Sequence, residues 1–117
     1  MQKIYHLSTC DTCKRIIKDL EVPSSFVLQD IKSNQVTVGQ LEEMRALSGS
    51  YESLFSRRAK LYKEQNLKDK KLTEPDFKNL ILEHYTFLKR PVILNNKEIF
   101  IGNTKNIILA AKQSIKN

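Results

Sequence analysis

Two cysteines stand three positions apart in the segment Ser8-Thr9-Cys10-Asp11-Thr12-Cys13-Lys14-Arg15, and the chain has no others. A disulfide closing so short a loop removes little entropy from the unfolded chain, so a structural staple explains the pair poorly. Thiol chemistry or metal binding is left as the reason for the spacing. Cys13, Ile16, Ile17 and Leu20 recur at i, i+3, i+4 and i+7, which predicts a helix with one apolar face. Cys10 then falls in or just before the first turn. Free backbone amides and the positive end of the helix dipole favour thiolate over thiol there. Cys13 lies nearly one turn further in, on the apolar side, within range to attack a mixed disulfide formed at Cys10. The asymmetry assigns roles: Cys10 attacks and Cys13 resolves. The plainer alternative, that both are small buried residues, accounts for Cys13 but not for Cys10.

Other side chains bear on the same chemistry. Arg90 precedes Pro91, and its fork of donors could face a thiolate or a bound oxyanion, although on spacing alone a solvent-facing arginine is the better explanation. Pro91 falls between a helical and a strand pattern, where a cis bond would make a tight turn. Lys14 could assist an anionic species at Cys10. Arg57 and Arg58 are basic enough for an anion site and equally typical of an exposed helix. His6, Cys10, Cys13 and His84 are ligand types that zinc accepts. Yet only one CxxC is present and His6 sits within a strand pattern, so no metal or bound cofactor is assigned. His84 is read as a packed or hydrogen-bonded histidine near a helix end.

The rest of the chain must position these groups. Its 117 residues, 40% hydrophobic and 28% charged, suit one folded domain spanning 1–117. No apolar run approaches the roughly 20 residues needed to cross a bilayer, so no membrane partner is expected. The N-terminus enters a strand pattern at once, and a cytoplasmic location is expected from the lack of a signal peptide. The net charge of +7 favours anionic partners. Because bases interleave with acids, as in Lys68-Asp69-Lys70-Lys71, a solvated basic surface is preferred to a direct nucleic-acid face.

Ile4, Tyr5 and Leu7 predict a first strand, with Ser8 and Thr9 able to cap the helix that follows. Pro23 ends that helix, and Phe26-Val27-Leu28 predicts a second, parallel strand. Thr37 with Gln40 has the form of a capping box opening a helix up to Gly49. Leu54 to Glu64 reads as a shorter helix, and Asn66 to Lys71 as exposed. Thr73, Pro75 and Asp76 open a helix whose face runs through Phe77, Leu80, Ile81, Tyr85 and Leu88. Val92-Ile93-Leu94 and Ile99-Phe100-Ile101 flank a turn at Asn95-Asn96, an antiparallel hairpin. Ile107, Ile108, Ala111 and Ile115 mark a last helix. The expected closure is a mixed four-stranded sheet with flanking helices and a helical insertion at about 37–88.

Tyr5-His6, the Cys10-Asp11-Thr12-Cys13 segment and Arg90-Pro91-Val92-Ile93 together resemble the arsenate reductase (ArsC) family related to glutaredoxin, which includes the Spx-type regulators. The resemblance runs through nearly the whole chain, including Leu54-Phe55 and Lys60-Leu61-Tyr62. It implies a thioredoxin-like (glutaredoxin-like) α/β fold, a cis bond before Pro91, and Arg90 beside Cys10 in the active site. In arsenate reductases of this type the cysteine matching Cys10 attacks arsenate, glutathione and glutaredoxin release arsenite, and three arginines serve the oxyanion. Arg90 matches one of the three. The second falls nearest Ser56, where Arg57 or Arg58 could substitute, and the third falls at Ile101-Gly102-Asn103. Missing donors weaken the hold on a multiply charged oxyanion.

Two functions follow as expectations. One is a thiol-dependent oxidoreductase that reduces arsenate or mixed disulfides through Cys10, with glutathione or a glutaredoxin- or thioredoxin-type protein as reductant. The other is an Spx-like redox-sensing transcriptional regulator that binds RNA polymerase.

Overall fold

A computed structural model describes residues Met1 to Asn117. The chain forms two compact units, one of Met1–Asn34 with Arg90–Asn117, the other of Gln35–Lys89.

The first unit is built on β1 (Gln2–His6), β2 (Val27–Asp30), β3 (Val92–Asn95) and β4 (Glu98–Ile101), in the sheet order β2-β1-β3-β4. β1 pairs parallel with β2, in register from Lys3 opposite Val27 to His6 opposite Asp30, and antiparallel with β3. A hairpin joins β3 to β4, with Asn96 at φ 59° in its turn. The first helix, α1 (Asp11–Leu20), is the crossover between the parallel strands, and α5 (Lys105–Lys116) closes the unit. Cys13, Ile16 and Leu20 of α1 are buried, as their spacing predicts. Ile16 and Leu20 join Ile4, Phe26, Ile93 and Ala111 in one core, with Ile17, Phe100, Ile108 and Ile115 packed against it. Each fully buried Ile, Leu or Phe among them contributes about 1.5–3 kcal/mol before chain entropy is subtracted. This is the thioredoxin-like α/β architecture with a mixed four-stranded sheet.

The second unit holds α2 (Val38–Ser48), α3 (Lys60–Glu64) and α4 (Glu74–Glu83) with three short 3₁₀ turns. The Thr37–Gln40 capping box forms, and α2 ends on Gly49 at φ 96°, a left-handed conformation that glycine takes without steric cost. At α4 the Asp76 carboxylate accepts from the backbone and hydroxyl of Thr73, both at 2.8 Å. The buried Phe55 is central to this unit: its ring lies 4.9 Å from Phe77, 5.3 Å from Phe87 and 6.0 Å from Tyr62.

Four local expectations need correction. Ser8 and Thr9 do not cap α1; its N-cap is Cys10, and Ser8 bonds to Asp30 instead. The Leu54–Glu64 stretch is not one helix. Phe55 is drawn into an extended bridge with Leu88, which leaves a 3₁₀ turn at Glu52–Leu54 and a separate α3. The helix after Thr73 stops at Glu83 and does not reach Leu88. His84 is extended there, and its Nδ1 accepts from the Thr86 amide and bonds the Thr86 hydroxyl, replacing helical partners with local ones. Finally, Asn66–Lys71 is not wholly exposed, because Leu67 is buried within a 3₁₀ turn.

Candidate functional site

The parallel ladder sets the site. At the C-terminal end of β1, the Leu7 carbonyl accepts from the Cys10 amide at 3.0 Å, so Leu7 to Cys10 makes a tight turn with Ser8 and Thr9 at its centre. Cys10 leaves that turn in an extended conformation and its carbonyl takes the Lys14 amide at 3.1 Å, the first helical bond of α1. The sulfur is thereby delivered to the helix N-terminus, and Cys10 is partly exposed while Cys13 is fully buried.

The two thiols are driven apart in acidity. For Cys10, partial burial works against ionisation. The Cys13 amide and thiol, the Thr12 amide and the charge of Arg90 outweigh it and hold its pKa below the ordinary 9.0. For Cys13, burial is the largest influence, and the hydrogen bond and charge of Cys10 add to it against opposing effects of Leu7 and Arg90. Its pKa is pushed up to about 11. The free energy of the arrangement thus favours one negative sulfur, at Cys10.

Arg90 is half-buried, and its peptide bond to the buried Pro91 is cis. The Pro91 carbonyl accepts from the Gly102 amide at 3.0 Å, which fastens the end of the hairpin beside the start of β3. Lys14 lies exposed on α1, one turn beyond Cys10. Cys10, Cys13, Lys14, Arg90 and Pro91 therefore all belong to the first unit.

Arg57 and Arg58 belong to the second unit and are exposed there. Arg57 donates to Glu52 at 2.8 Å, and its guanidinium lies 5.5 Å from the Phe77 ring centre and 6.0 Å from that of Phe55. Glu52 raises its basicity. That side chain is committed to a local ion pair and to aromatic faces. His84 is likewise in the second unit, stacked on Tyr85 at 4.7 Å, and no group of three or more His, Cys, Asp or Glu side chains is placed to hold a metal ion.

One side chain beside the turn escaped the sequence reading. Asp30 ends β2, and its carboxylate accepts from the Ser8 amide at 3.2 Å, the Ser8 hydroxyl at 2.7 Å, the Lys32 amide at 3.3 Å and the Ser33 hydroxyl at 3.2 Å. The signal was available: a parallel pairing of the first two strands sets the end of β2 beside the turn that follows β1.

A family profile described as ArsC matches residues 5–111. The chain belongs to the ArsC family. Within that family, the Global transcriptional regulator Spx 2 of Bacillus cereus is 30% identical over 102 residues, spanning 85% of this chain and 77% of its own. The Global transcriptional regulator Spx of Bacillus subtilis is 24% identical over 112 residues, spanning 92% and 84%. Among solved structures, the arsenate reductase from Vibrio cholerae superposes with a TM-score of 0.73 at 23% identity, covering 94% of this chain and 98% of its own, a likeness of fold. The ArsC fold, related to glutaredoxin and shared with the Spx-type regulators, is the one the sheet order and helices describe. No helix is long and apolar enough to cross a membrane.

Proposed function

We propose that this ArsC-family chain is a redox-responsive regulator of the Spx type, in which Cys10 and Cys13 form the switch. The observation that carries the reading is a free, accessible Cys10 at the N-cap of α1 with a free, buried Cys13 three residues on, their acidities pushed in opposite directions. A disulfide oxidant RSSR is attacked by the Cys10 thiolate, which forms a mixed disulfide and expels one thiolate RS⁻. Cys10 then carries no charge, so its repulsive influence on Cys13 ends and Cys13 loses its proton more readily. Attack by Cys13 on the Cys10 sulfur expels the second RS⁻. The balance is two protein thiols and RSSR converted to one protein disulfide and two RSH.

Three considerations support a regulator over an arsenate reductase. The curated relatives named above are transcriptional regulators. The family's second and third arginine positions fall nearest Ser56 and at the Ile101-Gly102-Asn103 stretch, by the resemblance. Arg57, next to the former, is held by Glu52. The partner in this reading is RNA polymerase, as for the Spx regulators that the sequence resembles.

The test is retention of RNA polymerase from lysate by the immobilised protein, oxidised and reduced. Retention in one state and its loss in the other is the expected result, with C10A and C13A frozen in the reduced behaviour. Failure to retain polymerase in either state would overturn the regulatory reading. A second reading, turnover of glutathione mixed disulfides, draws on the attraction of Arg90 for the Cys10 thiolate. It requires a glutathione- or glutaredoxin-dependent rate that C10A abolishes.

A further inference from the structure

We infer that Asp30 is a positioning residue for Cys10, acting through Ser8 to hold the turn that presents the sulfur to the start of α1. The inference rests on the thiolate reading of Cys10 given above and names what maintains it. Ser8 sits at the centre of the Leu7–Cys10 turn, a place where an exposed residue has no sheet or helix to fix it. Asp30 fixes it twice, by the amide and by the hydroxyl. The same carboxylate also accepts from Lys32 and Ser33 in the turn after β2. One side chain therefore ties together the two loops that leave the C-terminal ends of the parallel pair. These bonds hold the carboxylate ionised, with a pKa lowered to about 2, so the tie is closed throughout the physiological range. Charge-assisted hydrogen bonds of this kind fix geometry better than neutral ones.

The position of Cys10 follows from that turn. Its amide is the closing donor of the turn and its carbonyl the first acceptor of α1. A shift of Ser8 moves the sulfur relative to the amides of Thr12 and Cys13, which favour its charge only at hydrogen-bond range. A negative carboxylate would oppose a nearby thiolate as a charge while supporting the turn as an acceptor, and substitution separates the two. Asp30→Asn keeps an acceptor for the Ser8 amide and a donor for its hydroxyl while removing the charge. Asp30→Ala removes both, and Ser8→Ala removes the shorter of the two ties.

The experiment is thiolate titration of Cys10 by absorbance at 240 nm, with iodoacetamide alkylation read by intact mass at pH 6 to 9. It uses the full chain as wild type, D30A, D30N and S8A. D30A is expected to react at neutral pH roughly threefold or more slowly than wild type, S8A to fall between them, and D30N to react at least as fast as wild type. The disulfide of D30A should also become harder to reduce, because its thiolate form is less favoured. A purely structural role for Asp30 would lower the melting temperature without moving the titration. If D30A does not fold, S8A, which trims one exposed hydroxyl, carries the comparison. A lowered wild-type pKa left unchanged in D30A and S8A would overturn this inference alone. Faster reaction in both D30A and D30N would also overturn it, in favour of simple charge repulsion. An ordinary thiol in the wild type would overturn the thiolate reading and the inference together.

Discussion

Cys13 lies buried three residues beyond the partly exposed Cys10, and the two thiols act on each other in opposite senses, Cys13 lowering the pKa of Cys10 and Cys10 raising that of Cys13. Each cysteine is therefore a reporter for its neighbour. Removing Cys10 takes away two of the influences that raise Cys13 toward 11, leaving burial, the largest. C10A should lower the Cys13 pKa from about 11, read by its own 240 nm titration. Removing Cys13 takes a donor from the thiolate, and C13A should slow alkylation of Cys10 at neutral pH by roughly three- to tenfold. C13S, which keeps a hydroxyl donor, should fall between C13A and the wild type.

Arg90 acts on Cys10 through charge, and charge is screened. R90A should slow alkylation of Cys10 by roughly twofold or more at low ionic strength, and R90K should restore most of the rate. The gap between R90A and the wild type should narrow as salt is raised from about 0.02 M to about 1 M, where the Debye length drops to about 3 Å. A gap unaffected by salt would mean that Arg90 supports the site by packing.

Acid should destabilise the fold over a defined range. Asp30, with a pKa of about 2 against an ordinary 3.8, and Asp76, lowered by its bonds to Thr73, both have folded values below unfolded ones. Each contributes stability that is fully present above pH about 4 and is lost as pH falls through its folded value. Melting temperature should therefore drop between pH about 5 and about 2. The drop should be smaller in D30N and in D76N than in the wild type, as followed by far-ultraviolet circular dichroism.

Phe55 supports the second unit through three ring contacts and an extended bridge to Leu88. F55A should cost about 3–5 kcal/mol in urea denaturation, the range for truncating a buried aromatic. F55L, which keeps most of the volume, should cost less than half as much.

The elements whose apolar period agrees with their tertiary partners could be read from sequence: α1 from Cys13, Ile16 and Leu20, the hairpin from its two apolar triplets, α5 from Ile108, Ala111 and Ile115. Capping signals at Thr37 and Thr73 were equally direct, since both depend on residues within one turn. Where the reading failed, a distant partner decided the outcome. Phe55 looks helical until Leu88 is known to lie across from it, and Ser8 looks like a cap until Asp30 is known to stand beside it. The placing of Cys10 and Cys13 at the start of α1 was legible for the same local reason as the caps, while the bonds of Asp30 to Ser8 required the strand register. Arg57 could not be judged from spacing, because its commitment to Glu52 rests on the extended backbone at Phe55.

An oxygen-bearing residue is what most helices place ahead of their first turn, and α1 has a sulfur there, with no conventional side-chain cap. Only as an anion does that sulfur offer the amides of Thr12 and Cys13 a good acceptor, and they have no partner within the helix. Acidification, alkylation or oxidation of Cys10 would withdraw that acceptor and leave those amides to water. The chemical history of a single atom thereby bears on how firmly α1 begins.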